Sequence, residues 1–121
     1  MTTTPGGRVL LVDDEEKILK TLGRALRDEG HDVTTASRAL DGQRLLAEQV
    51  FDLLIIDYRM PDRSGMEVVK ELVAATPDGE RPAIVMMTAH GSIDSAVEAM
   101  KLGARDYLQK QIGRASCRER V

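Results

Sequence analysis

The chain is poor in aromatic residues. It has no tryptophan, and Phe51, Tyr58 and Tyr107 are its whole aromatic set, so aliphatic side chains must fill any core. Its one cysteine, Cys117, has no second thiol in the chain. That excludes an internal disulfide and fits a reducing, cytoplasmic compartment. Basic residues are not in excess: 17 Lys and Arg stand against 20 Asp and Glu, a formal net charge of −3. This leaves no electrostatic basis for nucleic-acid binding by the domain itself. No apolar run approaches the roughly 20 residues of a membrane-spanning helix, so no membrane partner is expected. The opening MTTTPGGR lacks the basic-then-apolar order of a signal peptide, and residues 1–7 are expected to be a disordered lead.

What is present is a repeating order. The 121 residues, 42% apolar and 31% charged, suffice for one domain with a real core and not for two. Short apolar runs recur: Val9 to Val12, Val33 to Ala36, Leu53 to Ile56, Ala83 to Met87, and the weaker Tyr107-Leu108. Each has strand length and is bounded by breakers. Three are continuous rather than alternating, the mark of strands buried on both faces. Between them lie helical patterns. Ile18, Leu19, Leu22, Ala25 and Leu26 share a face, with Gly30 as a stop. Ser37 is expected to cap a helix carrying Leu40, Leu45 and Leu46. Ser64 is expected to cap another with Met66, Val69, Leu72 and Val73 inward, broken by Thr76-Pro77-Asp78-Gly79. Ile93, Ala96, Val97 and Met100 form a fourth, closed by Gly103. Strands alternating with helices predict an α/β fold: a doubly wound, five-stranded parallel sheet with helices on both faces.

The polar residues after each strand carry the chemistry. The first strand is followed by Asp13-Asp14, the third ends at Asp57, the fourth at Thr88 and the fifth at Lys110. The second ends in Ala36-Ser37, with nothing chemically pointed. In such a sheet, ligands bind outside the carboxyl ends of the strands, where strand order reverses. An order of 2-1-3-4-5 makes those polar ends converge and leaves the uninformative strand at the edge. Three carboxylates drawn together repel one another, and a hard divalent cation such as Mg²⁺ with oxygen ligands relieves this. One carboxylate can then attack phosphorus, while a Lys ammonium and a Thr hydroxyl hold the other phosphoryl oxygens. Taken singly, each residue has a plainer reading. Asp13 and Asp14 serve equally well as caps on the first helix. Asp57 is an ordinary loop residue, Thr88 a β-branched strand residue and Lys110 a solvated charge.

The pieces VLLVDDEE, LLIIDYRMPDRSGME, VMMTAHG and LGARDYLQK together resemble the receiver domain of two-component response regulators, from Val9 to Lys110. The resemblance implies that Asp57 is the phosphoacceptor. It implies Mg²⁺ held by Asp14, Asp57 and the backbone carbonyl of Arg59, with Asp13 acting through water. Thr88 and Lys110 are implied to contact the phosphoryl oxygens, and Thr88 and Tyr107 to form the switch pair. Met60, Pro61 and Gly65 match the loop after the phosphorylated strand. A sensor histidine kinase is the implied donor, and a homodimer through the face of the fourth helix and fifth strand the implied assembly. Arg59 and His90 lie where such domains tune phosphoryl lifetime. The stretch TAHGSIDSAVEAMKLGARDYLQK resembles receivers of enhancer-binding AAA+ transcription activators, in which DNA binding belongs to a separate output domain. The domain is expected to catalyse its own phosphotransfer and dephosphorylation rather than turn over a substrate. An aspartyl phosphohydrolase, the main rival, wants a second Asp two residues after the nucleophile, where this chain has Arg59.

After Lys110 the pattern fails. The family has a proline and then a fifth helix there; this chain has Gln111 followed by IGRASCRERV. That string resembles a translated short-read sequencing adapter. The expectation is therefore a receiver over 8–110, a non-native tail over 111–121 and a missing fifth helix, whose loss leaves an apolar sheet face uncovered. On that reading Cys117 says nothing about compartment.

Overall fold

The computed structural model describes residues 7–77, 79–88, 100, 101 and 104, together with the backbone of 106–109. The elements follow in order: β1 (Arg8–Val12), α1 (Glu16–Asp28), β2 (Asp32–Ala36), α2 (Ala39–Glu48), β3 (Leu53–Asp57), α3 (Gly65–Ala75), β4 (Ala83–Thr88) and β5 (Asp106–Gln109). The strands form one sheet of order β2-β1-β3-β4-β5, with every neighbouring pair parallel. The expected α/β doubly wound architecture is thus observed. Of the expected fourth helix only Met100 and Lys101 are described, and both are helical. The tail over 111–121 and the question of a missing fifth helix lie outside the described residues, as does most of the lead.

The continuous apolar runs are explained by two cores. Successive strand residues point to opposite faces. Leu10 and Val12 of β1, Leu54 and Ile56 of β3, and Ile84 and Met86 of β4 pack on one face with Ala39 of α2 and Met66, Val68 and Val69 of α3. Val9, Leu11, Ile55 and Met87 pack on the other with Val33 of β2 and Ile18 of α1. A central strand therefore needs an apolar residue at every position. Each such side chain, fully buried, stabilises the fold by about 1.5–3 kcal/mol relative to exposure.

The helices show what the 3.6-residue pattern predicts well and what it does not. α1 buries Ile18 and half-buries Leu19, Leu22 and Leu26, while Ala25 is exposed. Gly30 has φ 98° and donates its amide to the Arg27 carbonyl, ending the helix as expected. Ser64 caps α3, accepting from the Met66 amide. The expected Ser37 cap on α2 is corrected: Arg38 holds the N-cap position and offers no side-chain cap bond. Leu40 is also on the wrong side, 56% exposed, because the inward positions of α2 are Ala39 and Gly42.

Candidate functional site

Parallel register decides which strand ends meet. Val12 pairs with Ile56 across β1 and β3, and Asp57 with Met87 across β3 and β4. The residue after Val12 and the last residue of β3 therefore lie side by side at the carboxyl edge. Ligand atoms of Asp13, Asp14 and Asp57 all fall within 4.8 Å of one another. Asp13 is 0% exposed and Asp57 4%, whereas Asp14 is exposed. Thr88, 3% exposed, ends β4 beside them. In β5, Tyr107 pairs with Met86 and Gln109 with Thr88. The Tyr107 side chain, Lys110 and His90 lie outside the described residues.

Local structure explains how each carboxylate is aimed. The Asp13 Oδ1 accepts from the Glu15 amide at 2.8 Å, which turns the chain out of β1 and into α1. α1 begins at Glu16 with Glu15 as N-cap, so neither Asp13 nor Asp14 caps it. Asp57 Oδ1 accepts from the Arg59 amide at 3.4 Å, a weak bond that tethers the side chain to the start of the next loop. Arg59 itself is exposed.

That loop is pinned at both ends. Tyr58 donates its amide to the Met87 carbonyl at 2.6 Å. The Tyr58 carbonyl accepts from the Gly65 amide at 2.9 Å and from the Ser64 hydroxyl at 3.3 Å. The start of α3 is thereby pressed onto the backbone of Asp57. A Cβ at Gly65 meets the Asp57 carbonyl oxygen well inside van der Waals contact, with the carbonyl carbon at 3.0 Å. Only glycine permits that approach.

Sequence reasoning missed Asp62 and Arg63. Asp62 Oδ1 accepts from the Ala39 amide at 3.1 Å and Oδ2 from the Leu40 amide at 2.9 Å. It performs the capping expected of Ser37, but from another loop. Burial pushes its carboxyl up, and hydrogen bonds from the amides of Leu40, Ala39, Asp62 and Arg63 outweigh this and hold it below 3.8. Arg63 donates to Gln43 Oε1 at 2.9 Å and to Glu71 Oε2 at 2.8 Å, and lies 3.5 Å from Glu67. The Arg63–Glu67 spacing is visible in sequence; the partnership of Asp62 with residues 22 and 23 positions upstream is not. A cleft of about 470 Å³, lined by Asp14, Ser37, Arg38, Pro61 and Asp62, opens beside the carboxylates.

The donor set fits a hard cation. Oxygen ligands alone, two carboxylates buried and a third at the rim, suit Mg²⁺ better than a softer metal. Their mutual repulsion calls for a positive charge at this place.

The family model for the response regulator receiver domain matches residues 9–121. The alginate biosynthesis transcriptional regulatory protein AlgB of Pseudomonas aeruginosa is 44% identical over 109 residues, 90% of this chain and 24% of that protein. The crystal structure of a response regulator receiver domain protein from Clostridium thermocellum superposes with a TM-score of 0.79 at 37% identity, covering 88% of this chain and 84% of that one. The beryllofluoride-activated NtrC4 receiver domain dimer superposes with a TM-score of 0.78 at 36% identity, covering 85% and 83%. The chain spans about a quarter of the length of the curated relatives it matches.

Proposed function

This chain belongs to the response regulator receiver domain family, and from that premise we propose that Asp57 accepts a phosphoryl group from a phosphohistidine on a sensor histidine kinase. As a receiver it serves two-component signal transduction. The observation that carries the assignment of Asp57 is the convergence of Asp13, Asp14 and Asp57 within 4.8 Å at the ends of adjacent strands, with Thr88 ending the next one. Asp13, Asp14, Asp57 and the Arg59 carbonyl would hold Mg²⁺, which neutralises the carboxylates and the incoming phosphoryl charge.

In that reading a carboxylate oxygen of Asp57 attacks phosphorus in line with the departing imidazole nitrogen. An acyl phosphate forms, and the imidazole leaves carrying a proton. Burial of Asp57 strips water from the nucleophile and orients it. Thr88 Oγ1 and Lys110 Nζ hold phosphoryl oxygens, and Tyr107 turns inward as Thr88 moves. Arg59 and His90 gate the water that hydrolyses the product; unchanged dephosphorylation after replacing both with alanine removes that part of the proposal. The domain acts on itself and is no turnover enzyme.

The wider reading concerns the parent protein. The similarity to AlgB, a transcriptional regulatory protein, supports an output on transcription, through an AAA+ and DNA-binding region rather than through this domain. The dimer of the NtrC4 receiver supports a homodimer here, and the face we propose for it is that of the fourth helix and β5. Among the described residues no helix is long and apolar enough to cross a membrane. Membership of the receiver family supports a cytoplasmic location. Receiver boundaries of 8–110 and a foreign origin for 111–121 complete the proposal; resequencing the source locus tests them.

One experiment tests the core. The chain is incubated with a small phosphodonor and Mg²⁺, and hydroxylamine-labile label is counted. Stoichiometric label, absent without Mg²⁺ and in Asp57→Asn, is the expected result. Label that persists in Asp57→Asn overturns the assignment.

A further inference from the structure

Between its pinned ends, the loop after β3 is held by contacts to α2 and α3. Met60 is buried. Asp62 reaches across to the first amides of α2, one carboxylate oxygen to Ala39 and the other to Leu40. Arg63 reaches Gln43 in α2 and Glu67 and Glu71 in α3, and Gln43 in turn donates to Glu71 at 2.6 Å. Successive residues of one short loop thus grip two helices. The grip on α2 is not local for either residue, and α2 has no side-chain cap of its own.

We propose that Asp62 is a positioning residue for the metal site: by bridging to the amides of α2 it fixes the loop that carries the Arg59 carbonyl, and so sets the Mg²⁺ affinity. The inference rests on the reading of Asp13, Asp14, Asp57 and Arg59 as the metal-holding set. Pro61 transmits the constraint, because its ring fixes φ between the Met60 anchor and Asp62. Arg59 is exposed, and among the described residues its amide, at 3.4 Å from Asp57 Oδ1, is what ties it to the site directly. The carbonyl that a cation needs is therefore placed by what holds the rest of the loop. Ionised Asp62 also meets the positive end of the α2 dipole, which strengthens the bridge.

The test titrates Mg²⁺ alone into the full chain by calorimetry, for wild type, Asp62→Ala, Asp62→Asn and Asp57→Asn. Asp62→Ala is expected to weaken Mg²⁺ binding about tenfold, the lower end of losses seen when a group supporting a metal ligand is removed. Asp62→Asn keeps one acceptor oxygen for the two amides and is expected to weaken Mg²⁺ binding less, by about threefold. That pair separates positioning from simple loss of negative charge. Should the alanine variant fail to fold, Asp62→Ser takes its place: its shorter side chain has a single oxygen that cannot bridge both amides, and the same weakening is expected. Wild-type affinity in the alanine variant, with only its urea midpoint lowered, overturns the proposal and leaves a purely structural cap. So does an asparagine variant as weak as the alanine one. A wild type that binds no Mg²⁺, or an Asp57→Asn that binds it equally well, overturns the metal-site reading and this inference with it.

Discussion

Replacing Gly65 with alanine perturbs the site without touching any polar group. The new Cβ meets the Asp57 carbonyl oxygen far inside contact, its carbon at 3.0 Å and Ile56 Cγ1 at 3.3 Å. The two nearest neighbours are backbone atoms of β3, so no side-chain movement relieves the contact. α3 and the end of β3 must separate by an amount on the order of 1 Å, and overpacking of this kind costs about 1–3 kcal/mol. At about 4–8 °C per kcal/mol for a domain of this size, the melting temperature is expected to fall by roughly 4–24 °C. Displacement of a nucleophile by about 1 Å can cost about 10²-fold in rate, so Asp57 labelling by a small phosphodonor is expected to slow by that order. Gly23 in α1 supplies the control. A Cβ there meets nothing closer than 3.7 Å, so Gly23→Ala is expected to stabilise by about 0.5–1 kcal/mol through helix propensity alone. Urea unfolding and time courses of hydroxylamine-labile phosphate measure both. A Gly65→Ala protein with wild-type midpoint and labelling rate refutes the close-approach argument.

Asp14→Asn is expected to raise the melting temperature measured in EDTA, because it removes one of the repelling carboxylates. In the same variant, millimolar Mg²⁺ is expected to lose most of its stabilising effect, which in wild type reaches about 2.7 kcal/mol at a hundredfold excess over Kd. Equal melting of variant and wild type in EDTA contradicts the repulsion. Glu71 is held below its ordinary 4.5, first by the Arg63 guanidinium and then by Gln43. A carboxyl depressed on folding contributes stability present above its unfolded pKa and lost as pH falls through the lower folded value. The urea midpoint of wild type is therefore expected to exceed that of Glu71→Gln by a constant margin from neutral pH down to about 5, and to converge with it in more acid solution. A margin that persists at the acid end shows that the network acts through packing rather than charge.

Much of this was legible in the chain because the relevant forces are local or periodic. Central strands buried on both faces require an apolar residue at each position, and Val9–Val12 and Leu53–Ile56 show it. Ser64 and Gly30 act within their own helix ends, where residue type and spacing suffice. Ser37 misled for the same reason: a hydroxyl before an apolar pattern is the local signature of a cap, but α2 starts too late to use it, and its free amides are met by Asp62. Leu40 misled because the face of α2 turned to the sheet is made by Ala39 and Gly42. Gly42 lets the helix lie against Val12, whose Cγ2 stands 2.9 Å from where a Cβ would be. No hydrophobic count reveals a face built from a missing side chain.

The sequence by itself determined the alternation of strands and helices, the apolar filling of the central strands and the placing of Asp13, Asp14, Asp57 and Thr88 at strand ends. These follow from period and from the order of residues along the chain. Only the tertiary structure decided which ends touch. Parallel register across β1, β3 and β4 sets Asp13 and Asp14 against Asp57 and puts Thr88 at the end of the neighbouring strand. The close approach of α3 to Asp57 and the grip of Asp62 and Arg63 on two helices join residues distant in the chain. Such contacts form from the packing of elements, and no window of neighbouring residues contains them.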